Sequence, residues 1–346
     1  MKQIFLLLGG IILLSSCKSS KQTTAVTSSS RSKDSNFVVA FGSCNKQYET
    51  NPYWDDILTE NPRVWIWGGD NIYADTDDMI KLKGMYAEQN GIAGYALLKS
   101  KVPVVGTWDD HDYGLNDGGE EFSMKKESQK EFLDFMEVPK NDKRRAREGI
   151  YASHTYKTDQ GKVKILVLDT RYFRSSLLKD PNPDRRYQPN TEANSTMLGN
   201  AQWEWLKQEL NSSDADFNLI ISSIQFLSRE HGFETWGNFP NEVSKLEDII
   251  AASKAKGVII LSGDRHISEI SRTEIPNLSY PLIDFTSSGL THSYSNFTSE
   301  PNPFRVGKVV SSTSYGIVDL DFKKKQAHFK IMGENGKVLE ELKQTY

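Results

Sequence analysis

The feature that most constrains the fold is a repeated pairing. A short apolar run stops at small residues and acids, and a helix-like or loop segment follows. "FVVAFGSC" (37–44), "RVWIWGGDN" (63–71), "KVPVVGTWDDHD" (101–112), "VKILVLDTR" (163–171), "DFNLIISSIQ" (216–225) and "VIILSGDRHISEI" (258–270) all read this way. Nearly continuous apolar runs of this length suit strands covered on both faces. Between them, Trp54, Ile57 and Leu58 fall at helical spacing, and a helical stretch is expected from about Met79 to Leu98. "EFSMKKESQKEFLDFMEVP", "NAQWEWLKQELNSS" and "EVSKLEDIIAASKAKG" read as further helices. This alternation predicts an α/β layered domain. From "YPLIDFTSSG" onward the chain is strand-rich and ends in an expected hairpin of "SYGIVDLDF" and "QAHFKIM", with "GENG" as a turn. A second sheet packed on the first follows, within one domain over residues 36–346.

The first residues carry a different signal. Lys2 supplies a positive end, and Ile4 to Leu14 form an apolar stretch too short to anchor by spanning a bilayer. "Leu14-Ser15-Ser16-Cys17" resembles a bacterial lipobox, in which the chain is cut before a lipid-bearing cysteine. Residues 1–16 are therefore expected to be a lipoprotein signal peptide and Cys17 the lipidated residue. The alternative is an ordinary signal peptide cut elsewhere. Residues 17–35 are polar and low in complexity, the composition of a flexible tether. The expected location is outside the cytoplasm, anchored to a bacterial membrane and facing the periplasm or the exterior.

Composition adds limits. The chain has 346 residues, 37% of them hydrophobic and 25% charged, with a net charge of −4. No basic block marks a nucleic-acid surface. The one basic segment, "KNDKRRAREG" (140–149), reads as a solvated loop able to attract an anion. With Cys17 acylated, the second cysteine, Cys44, has no partner for an intramolecular disulfide. A lone cysteine in an exported protein is either an inert core residue or a reactive or ligating thiol.

The polar residues around Cys44's counterparts decide between these. In an α/β sheet the carboxyl ends of strands share one edge, where ligands bind. Cys44 ends the first strand, and Asp70, Asn71 and Tyr73 follow the second. Asp109, Asp110, His111 and Asp112 follow the third, Asp169 and Arg171 the fourth, and Asp264 and His266 a later one. Carboxylates gathered in a partly buried place repel each other and need cations. Oxygen, imidazole, thiolate and phenolate donors suit a transition metal beside a harder ion. A metal pair suits phosphate ester hydrolysis by attack of a metal-bound hydroxide. Arg171 is placed either to hold phosphate bidentately or to salt-bridge a nearby acid. His231, in "REHGFETWGNFP", either lines the site or caps local structure, and His292 is similarly open. His154 and His328 lie in alternating segments and read as structural, and Trp203, Trp205 and Phe132 as packing. No G-x-S-x-G elbow is present to support a serine esterase.

In order along the chain, "FGSC" (41–44), "GGDNIYAD" (68–75), "TWDDHDYG" (107–114), "LDTRYFR" (168–174) and "SGDRH" (262–266) resemble the alkaline phosphatase D (PhoD-like) family of calcineurin-like metallophosphoesterases. The resemblance spans about residues 37–290. It implies a two-sheet β-sandwich flanked by helices, Fe3+ with Ca2+, and hydrolysis of phosphate monoesters or diesters. By the same resemblance Cys44 and Tyr73 ligate iron, Asp70 bridges the metals, and Asn71, Asp110, Asp264 and His266 complete the cluster or contact phosphate. Asp109 to Asp112 cannot all face the metals, because side chains of an extended stretch alternate in direction; Asp110 and His111 are the expected inward pair, with the local turn resolving the geometry. His266 or His111 is the candidate proton donor to the leaving group. Some family members carry a β domain before the catalytic one, whereas here the tether leads straight into "FVVAFGSC". The expected partners are a phosphate ester of small-molecule, lipid or nucleotide type and, through Cys17, a membrane. The chain is expected to be a monomer. The alternative is a surface binding protein that keeps the metals without catalysis.

Overall fold

The computed structural model describes residues 36–346, so the expected signal peptide, the tether and Cys17 lie outside the described residues. The chain runs through β1 (Phe37–Gly42), α1 (Trp54–Thr59), β2 (Val64–Gly68), α2 (Met79–Gly91), α3 (Ala93–Lys101), β3 (Val104–Thr107), α4 (Asp110–Tyr113) and α5 (Lys125–Phe135). It continues through β4 (Ala152–Lys157), β5 (Lys162–Val167), β6 (Leu178–Lys179), β7 (Tyr187–Gln188), α6 (Gly199–Asn211), β8 (Phe217–Ile221), α7 (Pro240–Ala252) and β9 (Val258–Ser262). The rest is β10 (Ser268–Thr273), β11 (Leu282–Ser287), β12 (Arg305–Val310), β13 (Tyr315–Asp321), β14 (Gln326–Met332) and β15 (Val338–Thr345). One sheet has the order β15-β14-β13-β1-β2-β3, the other β12-β10-β11-β9-β8-β5-β4. Strands β1, β2 and β3 are parallel, as are β5, β8, β9 and β11.

Alternation along the strands sorts their side chains to two faces. Ile165 and Val167 of β5, Leu219 and Ile221 of β8, and Ile259 and Leu261 of β9 join the core between the sheets. There Phe41 of β1 meets Phe285 of β11 edge-on, with ring centroids 4.9 Å apart. Leu166, Ile220 and Ile260 point the other way and pack with Trp203 and Leu206 of α6 and Leu246 and Ile250 of α7. On the far side, Trp65 and Trp67 of β2 meet Trp54 of α1, and Trp67 also meets Tyr95 of α3, at 5.4 to 5.8 Å between rings. The layers are thus helix, sheet, sheet, helix, the expected helix-flanked β-sandwich. Each fully buried large apolar side chain contributes roughly 1.5–3 kcal/mol to holding the layers together.

Three local readings change. The stretch from Met79 breaks into two helices because Ile92 turns extended (ψ 118°) after Gly91 before the chain re-enters the helix at Ala93. The third strand is only four residues long, and the acids after it begin a helical turn. The hairpin β13–β14 gains a third strand, β15, which pairs antiparallel with β14 along the sheet edge.

Candidate metal centre

The parallel strands of both sheets deliver their carboxyl ends to one edge, where a bridge between Ser43 and Ser288 joins the sheets. Several residues there take left-handed backbone conformations: Cys44 (φ 59°), Asp70 (φ 50°), Asp264 (φ 70°) and His266 (φ 54°). For non-glycine residues each such conformation costs about 1–3 kcal/mol and persists only where surrounding structure imposes it. The strain bends each chain end sharply, so side chains from distant segments share one space. Gly69 (φ 100°) permits a close approach, since a Cβ there would sit 2.6 Å from Asp109 Cβ.

A soft group of donors forms first. Cys44 Sγ lies 3.3 Å from Asp70 Oδ2 and 3.0 Å from Ser288 Oγ. Ser288 Oγ also accepts the His266 N–H at 2.7 Å, and its own proton, when given to the sulfur, favours the thiolate. Tyr73 Oη donates to Asp70 Oδ2 at 3.1 Å and lies 2.9 Å from His266 Nε2. Donor atoms of Cys44, Asp70 and His266 lie within 4.8 Å of one another. Burial pushes the Cys44 thiol up to about 11, against the Ser288 hydrogen bond. Burial, with the neighbouring cations His111 and Arg265, pulls His266 down to about 4, so its ring is neutral and able to ligate.

A hard group adjoins it. Asp109, Asp110 and Asp264 form one cluster of oxygens, and Asp70, Asp110 and His111 another. The local turn decides which of Asp109 to Asp112 face inward. Asp109 caps α4 and Asp112 reaches back to its N–H at 2.6 Å, a capping box. Asp112 also accepts from Asn71 Nδ2 at 2.6 Å. Asp110 and His111 instead line an open cavity of about 490 Å³, with Asp264 and His266. His111 Nδ1 sits 2.8 Å from both oxygens of Asp75, and its ring stacks on Tyr73 at 4.1 Å. Burial alone would depress His111, but Asp70, Asp75 and Asp110 push it up to about 11.

This donor set fits metal cations. Asp70 is a buried carboxyl and Asp264 a partly buried one, and both are held well above the usual carboxylate range, first by desolvation and then by neighbouring anions. Asn71 Oδ1 and Asp109 Oδ2 are buried acceptors without a hydrogen-bond partner. Oxygen atoms crowded together and left unpaired in a dry place are stabilised by a positive charge between them.

Two expected substrate contacts need correction. Arg171 is fully buried and takes its salt-bridge alternative: Nε donates to Asp109 Oδ1 at 2.6 Å and Nη1 to Glu234 Oε2 at 2.7 Å. Both its partners are more than sixty residues away in sequence, which is why no local pattern announced them. His231 is also buried, accepts the Phe233 N–H at Nδ1, and supports its loop from outside the cavity wall. Asp169 takes Trp108 Nε1 and the N–H groups of Ile150, Arg171 and Tyr172, so it shapes the turn after β5. Sequence reasoning missed Glu234, Asp117, Arg186 and Ser288. Arg186 is half-exposed at the cavity and pairs with Asp117 at 2.7 Å. His292, left open, lies 4.4 Å from the His266 ring and 5.0 Å from Tyr73.

A family model described as PhoD-like phosphatase matches residues 83–330. Among curated proteins, alkaline phosphatase D of Bacillus subtilis (strain 168) is 29% identical over 120 residues, which is 32% of this chain and 20% of that protein. The aligned stretch thus spans a fifth of the curated relative's length. The solved structure of PhoD has a TM-score of 0.71 at 18% identity, covering 91% of this chain and 69% of that one. GAP50, the anchor in the inner membrane complex of Plasmodium, has a TM-score of 0.54 at 12% identity, covering 90% of this chain and 89% of that one. A dimetal phosphatase from Danio rerio has a TM-score of 0.52 at 12% identity, covering 90% and 100%. The structural likenesses establish a shared fold.

Proposed function

The chain belongs to the PhoD-like phosphatase family, and from that premise we propose that it hydrolyses phosphate esters at a two-metal centre on the joined strand ends. The observation that carries this reading is the meeting of Cys44, Asp70 and His266 within 4.8 Å, beside the buried Asp109 and Asp110 and the partly buried Asp264. The sulfur, phenol and imidazole of Cys44, Tyr73 and His266 would suit holding Fe3+ and the oxygen-rich side Ca2+, and Asp70, which belongs to both donor groups, would serve either. When bound, such ions neutralise phosphate charge and lower the pKa of water.

The chain's own residues divide the remaining work. His266, neutral and pinned to Tyr73, belongs with the ligands. His111, held by Asp75 at the cavity wall, is the group to protonate the leaving oxygen. Asn71 is locked through its Nδ2 by Thr107 and Asp112, which leaves its side-chain oxygen free to serve as a ligand. Arg171 positions Asp109 from behind. Arg186, half-exposed at the cavity, takes the phosphate-holding role first expected of Arg171.

The proposal extends to export and anchoring through Cys17, supported by the apolar run that ends in "LSSC". The test uses the purified full-length chain with iron and calcium, assayed on aryl phosphate mono- and diesters. Turnover that is lost on chelation and restored by metal supports the reading. No turnover on either ester, with metals demonstrably bound, overturns it in favour of a metal-containing binding protein.

A further inference from the structure

Single exposed apolar side chains are ordinary on a protein surface. Phe233 and Tyr294 differ in where they stand. They are 40% and 42% exposed, and both line the cavity that contains Asp110, Asp264 and His266. They come from loops some sixty residues apart, yet both are fixed to the turn carrying the metal-centre residues. The Phe233 ring lies over the Arg265 guanidinium, 4.4 Å from carbon to centroid. Arg265 is itself held by Glu300 at 2.7 Å. The Tyr294 N–H donates to the His266 carbonyl at 2.7 Å, and its ring is braced edge-on by Phe297 at 6.1 Å. A cation beneath one face of Phe233 sets the ring's orientation while the ring remains open to the cavity.

Resting on the phosphohydrolase reading of this site, we propose that Phe233 and Tyr294 form its leaving-group subsite, which selects phosphate esters of planar aromatic alcohols over those of alkyl alcohols. The phosphate occupies the floor at Asp110, Asp264 and His266, and the departing group lies against the two rings at the mouth. Two pre-oriented rings stack a flat π system at low entropic cost, while a short alkyl group gains little from them. On this scale, stacking favours the planar group by about tenfold.

The test measures binding of phenylphosphonate and methylphosphonate, whose C–P bonds resist hydrolysis, to the metal-loaded full-length chain by calorimetry. Phenylphosphonate is expected to bind about tenfold more tightly than methylphosphonate. The double variant Phe233→Leu/Tyr294→Leu keeps apolar bulk but removes both rings, and should bring the two affinities within about twofold of each other. Ile80→Ala removes an apolar side chain that is 85% exposed and outside the cavity, and should leave the preference intact. Equal affinities in the wild type, or a preference that survives in the double variant, overturns the subsite. Ester turnover without a phenyl preference overturns it alone. No ester turnover with metals bound overturns the underlying reading and the subsite with it.

Discussion

Replacing Arg171 with methionine keeps much of the stem's volume and deletes the guanidinium. In the folded chain this group sits at 0% exposure between Asp109 and Glu234, and Glu234 also pairs with Arg174 at 3.0 Å. Without Arg171, Asp109 keeps Ser223 Oγ at 2.6 Å but no cation among its hydrogen-bond partners, and Glu234 keeps only Arg174 of its two arginines. Removing one partner of a buried ion pair costs about 3–5 kcal/mol, because a charge is left in a dry environment. Asp109 can take up a proton in part compensation. Burial already pushes it up to about 7, against the pull of Arg171, so the lower end of that range is expected. For a chain of this size roughly 3 kcal/mol lowers the melting temperature by about 4–6 °C. Thermal unfolding by circular dichroism, with metals bound, reads the shift. Because Asp109 lies in the carboxylate cluster, kcat should fall with stability while KM changes little. A variant that melts within about 1 °C of wild type and raises KM manyfold at unchanged kcat would refute this reasoning. It would return Arg171 to the substrate.

Other perturbations reach different parts of the structure. Gly263→Ala places a Cβ 2.5 Å from Ser43 Oγ and 2.9 Å from the Gly68 carbonyl oxygen; the strain should cost about 1–3 kcal/mol, and metal analysis should find less metal per chain. His154 is held down to about 4 from an ordinary 6.5 by burial and by Arg144, with Asp142 opposing. The unfolded chain therefore binds a proton below pH 6.5 that the folded chain refuses until about pH 4, so stability is lost as pH falls through that window. The side chain is only half-buried, so the loss at pH 5 is about 1 kcal/mol. His154→Gln should narrow the gap between melting temperatures at pH 7 and pH 5; an unchanged gap excludes His154 as its source.

Much of this architecture could be read from the chain because its physics is local. A run such as "VIIL" must be covered on both sides, and acids that follow such runs must meet at the strand ends. That Asp110 and His111 both line the cavity depends on the helical turn beginning at Asp110, because alternation along a strand would turn these neighbours to opposite sides. What could not be read depends on distant partners. Nothing near Arg171 indicates Glu234, and nothing near Cys44 indicates Ser288, 244 residues away. Edge strand β15, "VLEELKQT", is half-exposed and rich in charge, so it lacks the apolar signal of a central strand. The break at Ile92 went unseen because helical apolar spacing continues across it. Phe233, Tyr294 and Arg186 lie on irregular loops, where periodicity says nothing about what a side chain faces.

The most direct measurement compares wild type with Cys44→Ala, each as the full-length chain, for metal content, visible absorption and ester turnover. Thermal unfolding confirms that both fold. The wild type should hold iron, show a thiolate-to-iron charge-transfer band and turn over phosphate esters, and Cys44→Ala should lose all three. Iron and turnover retained in a folded Cys44→Ala chain would reduce Cys44 to a core residue and remove the sulfur from the centre.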